Sequence, residues 1–267
     1  MQRQPFFSAR HPLVLFFGLT FSLSWTIWLP MVVSGEESEP LRIAGTFGPA
    51  IVAVLLTAWL QGKAGLRKLA EQMLHWRLPC RWYGFAFLLP PLVILASIWL
   101  AVLAGMPRPE FNDPRQLYLV IPAFAFVLVS SVLGEEAGWR GFALPRMQAK
   151  WGALHASLIL GLIWGIWHLP LFLIAGYFHK DIPFGLFLLQ DIGLAIIMTW
   201  LYNSTKGSLF IVHMFHAAIN TALGVLPILP MDTGGRVLPL WIAVLILTLI
   251  AGRIVIKMDP VTLAKLR

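Results

Sequence analysis

Long apolar runs alternate with short polar breaks along nearly the whole chain. A bilayer core about 30 Å thick takes roughly 20 mostly apolar residues in helical form. Eight stretches read as spanning helices on that basis: Leu13–Val33, Ile43–Leu60, Trp82–Gly105, Leu117–Gly134, Trp151–Gly176, Ile182–Tyr202, Gly207–Pro230 and Val237–Ile256. Pro and Gly sit mostly at their edges, and Pro90-Pro91 within the third predicts a kink. Between the second and third, Leu66, Leu69, Ala70, Met73 and Leu74 recur at helical spacing among Arg67, Lys68 and Arg77. That pattern predicts an amphipathic helix on the membrane surface. No linker, low-complexity segment or internal repeat divides the chain, so the expected organisation is a single transmembrane domain over residues 1–267.

Composition sharpens the class. Of 267 residues, 58% are hydrophobic and 12% charged, against about 45–50% and about 25% in an ordinary soluble domain. So few charges could not cover the surface of a soluble fold. Disordered, collagenous, coiled-coil and cytosolic-enzyme classes are excluded. The expectation is an all-α polytopic membrane protein with about eight transmembrane helices. The net charge of +8 follows from Lys and Arg gathering in loops that stay cytoplasmic, and no nucleic-acid partner is expected. With the N-terminus inside, fifteen of the twenty basic residues fall in cytoplasmic segments, including Lys63, Arg67, Lys68, Arg77 and Arg81. Arg42, Arg108, Arg115, Lys180 and Arg236 fall outside, together with seven acids. Both termini are therefore expected to be cytoplasmic. The single Cys80 allows no intrachain disulfide and no multi-cysteine metal site.

A charged side chain at mid-membrane costs about 2.5–3.5 kcal/mol on insertion scales, so the few polar residues inside the apolar runs need a reason. They are Glu135, Glu136 and Arg140 at the inner end of the fourth span, His168 in the fifth, Asp191 in the sixth, and His213, His216 and Asn220 in the seventh. In a helix, Glu136 and Arg140 are i and i+4 with the acid N-terminal, the favourable orientation for an ion pair. Glu135 is rotated about 100° from Glu136, which leaves it unpaired and available as a general base. The competing reading is a helix-end salt bridge with both acids solvated. Trp164 lies one turn before His168, and His216 and Asn220 share a helix face. Two imidazoles and a carboxylate from three helices could hold water, or form a His-His-Glu zinc set with an open fourth position. They could equally serve interhelical hydrogen bonding, or a proton pathway in which Asp191 and His213 relay.

At these residues the chain resembles the CPBP family of intramembrane peptidases, the type II CAAX prenyl endopeptidases and bacteriocin-processing proteins also called ABI. That family is recognised by Glu-Glu-x-x-x-Arg, Phe-x-x-x-His and His-x-x-x-Asn. Here the motifs read Glu135-Glu136-Ala137-Gly138-Trp139-Arg140, Trp164-Gly-Ile-Trp-His168 and His216-Ala-Ala-Ile-Asn220, in family order on separate predicted helices. Trp164 replaces the family's Phe. The resemblance covers roughly Val120–Leu226. It implies an intramembrane endopeptidase, with its peptidase core at about 120–226, that hydrolyses a peptide bond near the cytoplasmic membrane face. By that resemblance Glu135 would activate water, and His168 and His216 would hold that water or a metal, with Zn2+ on Glu135, His168 and His216. Asn220 would stabilise the oxyanion, while Glu136, Arg140 and Trp164 would support the site. The substrate would be a membrane-associated peptide or lipid-modified protein, and the location a bacterial inner (plasma) membrane. A non-enzymatic membrane scaffold or bacteriocin self-immunity protein, and a proton-coupled transporter, are the alternative readings.

Overall fold

The computed structural model describes residues 11–109 and 118–264, which are helical with no strand among them. The basic residues Arg3, Arg10, Arg115, Lys265 and Arg267, the acids Glu110 and Asp113, and Leu117 at the start of the fourth expected span lie outside the described residues. Proline opens several helices, because its missing N–H costs nothing in a first turn. The helices are α1 (Pro12–Ser34), α2 (Glu39–Thr46), α3 (Gly48–Met73) and α4 (Cys80–Leu103), then α5 (Val120–Val127), α6 (Leu133–Glu136) and α7 (Leu144–Trp167). They end with α8 (Phe184–Ser204), α9 (Leu209–Val225) and α10 (Leu238–Lys257). Gly35 closes α1 in the left-handed region at φ 72°, its N–H bonding the Met31 carbonyl.

Among the described residues, six helical runs are long and apolar enough to cross a membrane. One of them, Val120–Leu173, is 54 residues long and would extend roughly 80 Å at 1.5 Å per residue, far more than a bilayer. It is broken at Gly152, whose φ of 74° and ψ of 170° leave helical space. A second break falls at Gly62 in α3, at φ 61°. Both lie where only glycine is unstrained, whereas α4 continues through Pro90 and Pro91 as one helix. Helix α9, in the seventh expected span, has 17 residues.

The fourth expected span ends at Gly134 on hydropathy, but the helical backbone continues. A π-helical turn (Leu128–Val132) leads into α6, and a second (Ala137–Ala143) leads into α7. Glu135 and Glu136 therefore sit midway along a run from Val120 to Gly152, not at its inner end. The amphipathic segment after Gly62 is helical as expected, and only part of its apolar face turns toward the protein, Ala70 and Leu74 being exposed. Leu69 is buried there, and Gln72 Nε2 donates to the Tyr202 hydroxyl at 2.8 Å.

The helices run between two ends. At one, the backbone N–H of Ala153 bonds the carbonyl of Val261, Gln148 and Asn203 pair their amides, and Ser208 Oγ donates to the His75 carbonyl. At the other, the Trp28 indole donates to the Arg42 carbonyl, and Arg42 lies over the Tyr177 ring. The core between them is aromatic near α1, where Phe16 stacks on Phe142 and Trp28 packs at a tilt against Trp167. Large apolar side chains such as Leu55, Leu88 and Leu249 point outward, as a surrounding bilayer requires.

The glutamate-bearing segment lies unusually close to the α2–α3 junction. A Cβ on Gly134 would stand 2.6 Å from the Thr46 carbonyl oxygen, and one on Gly138 2.6 Å from that of Pro49. Small residues permit such backbone approach between membrane helices. Gly138→Leu should lower stability by on the order of 1–3 kcal/mol through overpacking, read as a lower melting temperature in detergent. Gly18→Leu should melt like the parent, since no atom lies within 4 Å of a Cβ built there.

Candidate active site

The two π-helical turns bracket the glutamates, and such turns recur at functional sites because they free carbonyls and re-aim side chains. The first offers the Ser130 carbonyl to Thr46 Oγ1 at 3.0 Å, fixing the segment to α2. One turn on, Ser131 Oγ donates to Glu135 Oε1 at 2.9 Å. Glu135 Oε2 accepts from Trp164 Nε1 at 2.7 Å. Among the described residues Glu135 is thus without a cation, as its helix position predicts, but both its oxygens are held by donors. At 2% exposure it is not the solvated helix-end acid of the competing reading.

Glu136 and Arg140 are both completely buried, with Arg140 Nη1 donating to Glu136 Oε1 at 2.7 Å. The i, i+4 spacing anticipated this pair. It did not anticipate that the same oxygen receives His216 Nδ1 from α9 at 2.8 Å. A carboxylate can only accept, so the proton lies on Nδ1, and the Nε2 of a neutral His216 presents its lone pair. His168 is oriented alike, with Nδ1 at 2.9 Å from the Trp164 carbonyl oxygen and 3.7 Å from Asp191 Oδ2. Asp191 thus lies beside His168, and its Oδ2 has no hydrogen-bond partner among the described residues. His213 bonds the Leu209 carbonyl one turn back and does not line the cavity around the other site residues.

Trp164 links these groups. Its indole N–H holds Glu135, its ring lies 4.4 Å beneath the Arg140 guanidinium carbon, and His216 meets it edge-on at 5.2 Å between ring centroids. The family's phenylalanine could supply the aromatic face but not the N–H.

Glu135, Trp164, His168, Asp191, His216 and Asn220 all line one cavity of about 410 Å³. Residues that sequence reasoning missed complete its wall. Ser131 is one, and Tyr177 and His179 come from the segment after α7, read in the sequence only as an outer loop. The His179 ring is buried and nearly parallel to that of His168, 6.0 Å away. Burial, with His168 and Arg42 adding in the same direction, holds the His179 imidazole well below the ordinary histidine range. The run Tyr177-Phe178-His179, a histidine among aromatics, was its one sequence signal. Among the described residues, no group of three or more His, Cys, Asp or Glu side chains is arranged to hold a metal ion.

A helical membrane protein that walls a cavity with a caged glutamate and two tethered histidines has the outline of an intramembrane hydrolase. Residues 117–222, which contain all three motifs, match the family model described as type II CAAX prenyl endopeptidase Rce1-like. It is also similar to the CAAX prenyl protease 2 of Methanococcus maripaludis, 27% identical over 221 residues that cover 77% of this chain and 82% of that protein. Both findings support a membrane endopeptidase.

Arg140→Ala would leave the Glu136 charge buried with only His216 beside it. Removing one partner of a buried ion pair costs about 3–5 kcal/mol, so this variant should melt far below the parent or fail to fold. Exchanging Arg67, whose pair with Glu71 is exposed, should change the melt little.

Proposed function

We propose that this protein is an intramembrane endopeptidase in which Glu135 is the general base and His168, His216 and Asn220 complete the catalytic group. The observation that carries this reading is the placement of an unpaired carboxylate, oriented through both oxygens, on the same cavity wall as two imidazoles with free Nε2 atoms. Glu135 takes one proton from a water molecule whose other O–H donates to the Nε2 of His168 or His216. The oxygen attacks the carbonyl carbon of a peptide bond lying in the cavity, and the Asn220 amide donates to the developing oxyanion. Glu135 then returns the proton to the amide nitrogen as the C–N bond breaks. Glu136 and Arg140 act on His216 and on the helix backbone rather than on substrate. The apolar wall, with Phe126, Leu171, Leu186 and Phe187, suits an apolar or lipid-modified segment. A prenylated protein within a membrane is the substrate class that the family suggests.

Glu135→Gln and His168→Ala should each lower cleavage of a membrane-embedded reporter at least about 100-fold while leaving the melting temperature near that of the parent; His216→Ala should lower cleavage as far but also melt lower, because it takes a hydrogen bond from the buried Glu136. Full activity of purified Glu135→Gln protein would overturn the assignment. Trp164→Phe keeps the ring over Arg140 and deletes one hydrogen bond to a charged group, worth about 1.5–3 kcal/mol. Its kcat should fall tenfold or more, with KM nearly unchanged. Activity lost to a chelator and restored by zinc would replace the metal-free scheme with one in which Glu135, His168 and His216 bind the metal.

A further inference from the structure

Between residues 63 and 81 the chain places five cations, Lys63, Arg67, Lys68, Arg77 and Arg81, against one acid, Glu71. All five are exposed, and Glu71 is taken up by Arg67 at 2.8 Å. Lys and Arg gather beside spanning helices wherever a loop stays cytoplasmic, so their number alone identifies no ligand. The apolar side chains set among them do more.

Gly62, at φ 61° and ψ −154°, kinks α3 where its apolar run ends. The turns that follow are fastened to the protein along their inner face. Gly65 and Leu69 are buried there, and Gln72 Nε2 reaches the Tyr202 hydroxyl. Beyond the helix, the His75 carbonyl accepts from Ser208 Oγ and the Trp76 carbonyl from the Tyr83 hydroxyl. On the outer face, Lys63, Arg67, Ala70 and Leu74 follow at i, i+4, i+7 and i+11 and so share one stripe. All four are exposed, Leu74 at 71%. Trp76 is 54% exposed, with the Arg77 guanidinium carbon 5.4 Å from its ring centroid, and Arg81 lies 5.3 Å over Trp82. A shelf held from behind thus presents leucine and tryptophan among ammonium and guanidinium groups.

A soluble anion would be met by the cations and would leave Leu74 and Trp76 in water. The boundary of an anionic bilayer satisfies both kinds of group. Tryptophan rings sit at headgroup level, while Lys and Arg lay their stems along apolar surface and extend their charge to phosphate. We propose that residues 63–81 form a docking surface for anionic phospholipid headgroups of the surrounding membrane, with Leu74 and Trp76 at the acyl boundary and the five cations among the phosphates. None of the described residues lining the cavity around Glu135 falls in this stretch, and the surface stands whether or not that cavity hydrolyses peptides.

The chain's single thiol, Cys80, is exposed between Arg77 and Arg81. An environment-sensitive dye attached there reports this surface in otherwise unaltered full-length protein. The labelled protein, in neutral detergent, is titrated with phosphatidylglycerol, with phosphatidylcholine and with inorganic phosphate. Phosphatidylglycerol should shift the emission to the blue with half-saturation at least tenfold below that of phosphatidylcholine, and inorganic phosphate should neither shift it nor compete. A cation near an anionic surface strengthens binding about fivefold. Lys68→Gln/Arg77→Gln/Arg81→Gln should therefore raise the phosphatidylglycerol half-saturation at least tenfold. Lys150→Gln/Lys206→Gln/Arg253→Gln, an equal loss of charge at exposed positions elsewhere, should leave it within about twofold. Leu74→Ser/Trp76→Ser should weaken both lipids and preserve their ratio. Equal half-saturation of the two lipids, or equal losses in the two triple variants, would overturn the proposal. Displacement of phosphatidylglycerol by inorganic phosphate would overturn it as well, in favour of a soluble anion. Melting curves identify any variant that unfolds, and the unsubstituted protein decides between the two lipids by itself.

Discussion

One carboxylate oxygen organises the centre of this molecule. Glu136 Oε1 receives Arg140 from its own helical segment and His216 from α9, while the guanidinium lies against the Trp164 ring of α7. Taking two such charges out of water costs several kcal/mol apiece. The penalty is offset only because the pair is short and flanked by an imidazole donor and an aromatic face. Arg140 Nε and Nη2 and Glu136 Oε2 have no hydrogen-bond partner among the described residues, so the cluster depends on close packing to keep its few bonds in place. Glycine supplies that packing, since Gly134 and Gly138 let the backbone reach α2 and α3 without a side chain between them.

The neighbouring carboxylate is treated in the opposite way. Among the described residues Glu135 pairs with no cation, yet Ser131 and Trp164 fix both its oxygens. Two adjacent glutamates thus share a helix turn and differ wholly in surroundings, one paired with a guanidinium and one held by neutral donors. The histidines follow the same logic, with Nδ1 tied to protein in both and Nε2 turned to the cavity side.

Much of this was legible in the sequence, and the gaps have physical causes. The apolar runs declare themselves because a bilayer tolerates little else, and the Glu136–Arg140 pair follows from helix geometry. The end of the fourth helix was misplaced at Gly134 because hydropathy falls at Glu135 even though the helix continues. Side chains that neutralise one another inside the protein look, one residue at a time, like an exit into water. The breaks at Gly62 and Gly152 were hidden since a glycine's φ is not written in its identity. The hydrogen bond from Trp164 to Glu135 joins residues 29 positions apart, and the spacing along one helix says nothing about the next. His179 was passed over for a similar reason, because only the fold lays its ring beside that of His168.

The π-helical turns on either side of Glu135 have a bearing on how this chain can vary. A turn of that kind holds one residue more than its α-helical counterpart, so the count between Leu128 and Ala143 sets the azimuth of everything after it. Loss of a single residue from Ala137–Trp139 would swing Arg140 about 100° around the axis, away from its acid, though every named motif letter survived. Substitutions in this stretch can be graded by size and polarity, but its length is all-or-nothing. Lineages descended from such an ancestor should therefore tolerate insertions in the connecting loops long before they tolerate one here.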